Sequence, residues 1–187
     1  RQHVGYATRV RRTRVAVALL GLLCLGASGL AYAQIFSGFY GSAPPRYPTA
    51  DTFKGSFNFC RAIFSRNRRE KRGWDTDYPG AENNFSVRFA ELTKARVGRN
   101  AKGEPDYVTV RLTDPALFQC PFILMEDAGT AVFSEPEVAQ LREYLLKGGF
   151  VFASDYWGEY SKEQLDGQLA RVLPPATYPV VTIPMDH

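Results

Sequence analysis

Three consecutive segments in the second half of the chain restrict its fold more than any other feature. Pro121–Met125 (PFILM) is a short, wholly apolar run, as expected of a strand buried on both faces. Ser134-Glu135-Pro136-Glu137 has the spacing of a capping box with proline in the first turn, and Val138, Leu141, Tyr144 and Leu145 follow at helical spacing. Gly148-Gly149 ends that helix, and Phe150–Ala153 is again apolar and β-favouring. A strand, a crossover helix and a second strand in so short a stretch point to parallel pairing.

The same alternation extends in both directions. Phe53–Ser65 reads as a first strand, and Arg66–Asn83 as a polar loop. Phe85, Phe89 and Leu92 mark a helix with Asn83 or Asn84 as its cap, Ala101–Asp106 is a turn, and Tyr107–Leu112 a β-branched strand. Ser161 and Gln164 form a second capping box, opening a helix to about Leu173 that Pro174-Pro175 ends. Val180–Ile183 reads as a last strand. The expected class is α/β, a mostly parallel open sheet with helices on both faces.

Ahead of this domain, Val15–Ala33 carries no charge and follows a cluster of arginines, with small residues at Ala31 and Ala33. That is the pattern of a signal peptide cleaved at about Ala33/Gln34. An uncleaved inner-membrane anchor facing the periplasm is the alternative, although the strongest apolar run, Val15–Leu25, is shorter than the roughly 20 residues a span needs. The expected organisation is residues 1–33 as signal peptide or anchor, 34–52 as a Gly/Pro-rich linker, and 53–187 as an incomplete α/β domain.

The net charge of +4 belongs to the leader. It holds five arginines and no acid, and taking five from 23 basic residues leaves 18 against 19 acids. Nucleic acid is therefore not an expected partner, and membrane contact is expected only through an uncleaved leader. The cluster Arg66, Arg68, Arg69, Lys71 and Arg72 reads as a solvated loop. Two cysteines remain after the leader, Cys60 and Cys120; export permits a bridge, but two separate buried thiols are expected.

In an open parallel sheet, ligands bind beyond the carboxyl ends of the strands. The residues that follow each expected strand include Trp74, Asp75, Asp77 and Tyr78; Asp114; Glu126 and Asp127; Asp155, Trp157 and Glu159; and Asp186 and His187. Trp74, Asp75, Asp77, Tyr78, Asp155, Trp157, Asp186 and His187 are the candidate ligand-binding residues. Loop acids are also ordinary turn residues, so the tryptophans weigh more. No catalytic residue, metal or cofactor is assigned. Ser154 ends a strand without the flanking glycines of a nucleophile elbow. One histidine and two cysteines fall short of a four-ligand zinc site.

Gly73-Trp74-Asp75-Thr76-Asp77-Tyr78-Pro79, Leu112-Thr113-Asp114-Pro115 with Leu117-Phe118 and Pro121-Phe122, Leu141-Arg142-Glu143-Tyr144-Leu145 with Gly148-Gly149-Phe150, Val172-Leu173-Pro174 and Asp186-His187 together resemble the bacterial domain of unknown function family 4159, over about residues 53–187. The resemblance implies a flavodoxin-like, class I glutamine amidotransferase-like sheet whose C-terminal part lies beyond this sequence. It implies no activity. Many members carry two adjacent aspartates where this chain has Ser154-Asp155. The expectation is an exported envelope protein, a non-catalytic domain that binds a ligand or partner. A metal-assisted or glycan-directed hydrolase and a structural envelope module are the alternatives.

Overall fold

The computed structural model describes residues 43–67 and 73–186. The leader, most of the basic cluster and His187 lie outside the described residues. In chain order the elements are β1 (Phe59–Ile63), β2 (Ser65–Arg66), α1 (Gly80–Thr93), β3 (Tyr107–Arg111), β4 (Phe122–Met125), β5 (Ala131–Val132), α2 (Glu135–Leu146), β6 (Phe150–Ala153) and α3 (Gly158–Val172). Four strands form one sheet in the order β3-β1-β4-β6, every pair parallel. The two-residue strands β2 and β5 make a separate antiparallel ribbon. Among the described residues no helix is long and apolar enough to cross a membrane.

Register explains the two faces. Arg61 stands opposite Thr109 and Leu124, and Leu124 opposite Phe152. Because side chains alternate along a strand, Cys60 and Ala62 point to the other face with Val108, Val110, Ile123 and Met125. There they join Leu141 and Tyr144 of α2 and Leu165 and Val172 of α3 in one buried core. Tyr144 donates its hydroxyl hydrogen to the Cys120 carbonyl at 2.8 Å, and burial pushes its pKa up to about 12. On the first face, α1 lays Phe85 edge-on to Phe59 and stacked on Phe122. Beyond the reach of α1, Phe150 and Phe152 are half-exposed.

Cys60 and Cys120 form a disulfide, with Cα atoms 6.1 Å apart, and are not the separate thiols expected. The pairing of β1 with β4 is the reason: it brings the start of β1 beside the entry to β4, with both side chains on the core face.

Several boundaries also depart from expectation. The first strand begins at Phe59 and not near Phe53; Gly55 sits at φ +77°, and Phe57 makes only an isolated bridge to Val97. α1 starts at Gly80, so Asn83 and Asn84 lie inside it rather than capping it. Glu82, in its first turn, is drawn into an ion pair with the buried Arg61. α2 and its capping box match expectation, with the Ser134 N–H donating to Glu137 Oε2 at 2.8 Å and Gly148 left-handed at the exit. α3 begins at Gly158, upstream of Ser161. Ser161 packs on Gly129 instead, where a Cβ would lie 2.5 Å from its own. Val180, Val181 and Ile183 are exposed and form no strand in this structure, although Val180 reaches the rim of a cavity beside β6.

The proline-rich lead-in is better anchored than a linker. The Arg46 carbonyl accepts the Thr109 N–H at 2.8 Å, and the Arg46 guanidinium pairs with Asp106 at 2.9 Å. Residues 43–48 thus shield the outer edge of β3, and a segment with three prolines offers little ladder of its own. Among the described residues, the opposite edge strand, β6, pairs with nothing on its outer side.

Candidate functional site

Strand order decides where a site can form. From β1 the chain steps one way to β3, then back across to β4 and on to β6. The reversal lies between β1 and β4, and their carboxyl ends diverge into separate loops, the usual place for a ligand crevice. Three loops meet at this rim: residues 73–79, ahead of α1; residues 126–130, after β4; and residues 154–157, after β6.

One carboxylate comes from each. Asp77, Glu126 and Asp155 place ligand oxygens within 4.8 Å of one another. Asp77 is exposed, Asp155 intermediate and Glu126 buried, so the group forms a shallow well with Glu126 at its base. Asp77, Asp127 and Asp155 hold φ of 56°, 52° and 54°, the left-handed region. Such geometry costs a non-glycine residue of order 1 kcal/mol, and three of the four described non-glycine residues that adopt it are aspartates on this rim.

A buried polar layer supports the well. Arg61 is fully buried, one pleat below Glu126 on the same face. Its Nη1 donates to the Trp74 carbonyl at 2.8 Å and the Thr76 carbonyl at 2.9 Å, and its Nε pairs with Glu82. Arg61 thereby fixes the loop that carries Asp77. Burial raises the pKa of Glu126 above the ordinary carboxylate range; the Arg61 charge opposes that, and Asp155, Asp77 and Glu82 add to it. Acids crowded in this way repel one another, and a bound cation is the direct relief.

The remaining expected residues take different places. Trp157 is 81% exposed, and its Nε1 donates to Asp155 Oδ1 at 2.7 Å. Trp74 packs against the core and edge-on to Tyr78, with ring centres 5.6 Å apart. Tyr78 is buried; its hydroxyl donates to the Pro44 carbonyl at 3.1 Å, and desolvation drives its pKa strongly upward. It anchors the lead-in. Asp75 is exposed and outside the trio, and Asp186 is exposed and apart from it. His187 lies outside the described residues. Glu126 was on the expected rim but not among the candidates, and Arg61, a charge in a strand that reads as apolar, gave no sequence signal of its role. No metal is expected from residue spacing, yet these three acids offer the all-oxygen donor set that suits a hard cation such as Ca²⁺ or Mg²⁺ rather than zinc.

The model of the domain of unknown function family DUF4159 matches residues 63–187, most of the chain and all three carboxylates. No curated protein matches the chain.

Proposed function

This chain belongs to the DUF4159 family, and we propose that its domain is a non-catalytic binding module that takes its ligand at the carboxyl rim through a divalent cation held by Asp77, Glu126 and Asp155. The observation that carries this reading is the convergence of three carboxylates from three separate loops at the strand-order reversal. Both described cysteines are spent in a disulfide, so no thiol among the described residues is free to act as a nucleophile. The exposed Trp157, tied to Asp155, offers a flat apolar face beside the cation. A second reading, metal-assisted hydrolysis, uses the same loop carboxylates as ligands.

A disulfide fits an oxidising compartment. With the signal-like leader it supports export to the periplasm or cell envelope, with an envelope component as ligand or partner. The strand order supports kinship with flavodoxin-like and glutamine amidotransferase-like sheets.

Terbium luminescence tests the cation site directly, because Trp157 is placed to sensitise a bound ion. Terbium should light up on binding and calcium should compete it away. Asp77→Asn and Asp155→Asn should each weaken binding about tenfold or more with the melting temperature nearly unchanged. Equal binding by wild type and both variants would remove the site.

A further inference from the structure

The two edges of the sheet are treated differently. β3 is shielded by the lead-in, whereas β6 is the open edge of the sheet among the described residues, and an apolar cavity of about 790 Å³ lies beside it. Val151 and Ala153 of β6, Leu165 and Leu169 of α3, and Val180 line that cavity. Val180 opens a β-branched run, Val180-Val181-Thr182-Ile183, whose three aliphatic residues are 67–76% exposed. An unpaired edge and an unpaired strand-forming segment lie side by side in one chain.

Handedness selects how they meet. Parallel crossovers are right-handed, and α2 carries the chain from β4 to β6 on the core face of the sheet. α3 packs on that same face. A right-handed crossover through α3 must therefore step in the same direction as the one before it, past β6, onto its free edge. Seven residues separate the end of α3 from Val180, close to the usual length of such a connection. A strand entering here runs parallel to β6, so the residues after Ile183 emerge at the carboxyl rim, where Asp155 follows the end of β6.

We infer that Val180–Ile183 docks as a fifth parallel strand on the edge of β6, and that docking delivers Asp186 to the rim as a further ligand for the cation bound by Asp77, Glu126 and Asp155. The docked strand fills the cavity beside Val151 and Ala153 and covers the exposed edge, which otherwise invites pairing with other chains. The well gains a fourth carboxylate on its β6 side, and calcium commonly takes six to eight oxygens. The inference rests on the cation site for its second half only.

Hydrogen exchange and calcium titration on the full chain separate the two halves. With calcium present, the amides of 180–183 should exchange about tenfold or more slower than an open chain. Asp186→Asn should weaken calcium binding about tenfold without removing it. Alternate N–H groups of a strand face its neighbour, so one of Val181→Pro and Thr182→Pro should abolish the protection and reproduce the Asp186→Asn affinity. Open-chain exchange at 180–183 with calcium bound overturns the docking. Protection together with wild-type affinity in Asp186→Asn overturns the role of Asp186. Absence of calcium binding to the wild type overturns the cation site itself, and exchange at 180–183 without metal then decides the docking alone.

Discussion

The two faces of the sheet are built on opposite principles. The face under α2 and α3 is apolar throughout, and a disulfide crosses it. The face under α1 buries Arg61, Glu82, Ser86 and Thr109, and leaves Phe150 and Phe152 half-exposed where α1 stops. Buried ion pairs are weak sources of stability, since desolvation offsets most of their attraction, whereas apolar burial contributes about 25 cal/mol per Å². One face therefore holds the fold and the other holds a loop in place. The carboxylate well sits over the second.

Three perturbations measure that division. Removing the disulfide should have the largest effect: it closes a loop of 60 residues, and loop-closure entropy of that length is worth about 4 kcal/mol. Urea unfolding of Cys60→Ser/Cys120→Ser should show that loss, and a loss below about 1 kcal/mol would mean the core face does not depend on its staple. Arg61→Met alone should cost about 3 kcal/mol by stranding Glu82. Arg61→Met/Glu82→Leu should recover most of the stability yet still bind terbium weakly, because the 74–76 carbonyls have lost their donor. Full recovery of both would show that the polar layer does not position the site.

The smallest expected effect has the opposite sign. The pKa of Glu126 is raised in the folded protein. Between the ordinary carboxylate range and that raised value, the folded state holds more protons than the unfolded chain. Stability of the metal-free protein then falls as pH rises through this window. Glu126→Gln should flatten the fall and stabilise the metal-free protein at neutral pH, while weakening the cation site. Destabilisation on this substitution would mean that Glu126 is part of the fold rather than the well.

What the sequence made legible was local. The capping box at Ser134 and the Gly148-Gly149 exit fix α2 through contacts within a few residues, and β6 follows directly. What it hid was set by distant partners. α1 begins at Gly80 because Glu82 answers Arg61, 21 residues earlier. Cys60 meets Cys120 because β1 lies beside β4. Asp77 and Asp155 were readable as rim acids from their places after strands. Glu126 looked like an ordinary turn acid until the strand order set its loop between the other two.

The covalent tie also imposes a timetable. A chain that emerges with its amino end first exposes Cys60 long before Cys120, and α1 and β3 lie between them. The central strand cannot be locked until that whole stretch is out. Capture of Cys60 by another thiol before Cys120 emerges would leave β1 without its covalent tie to the entry of β4.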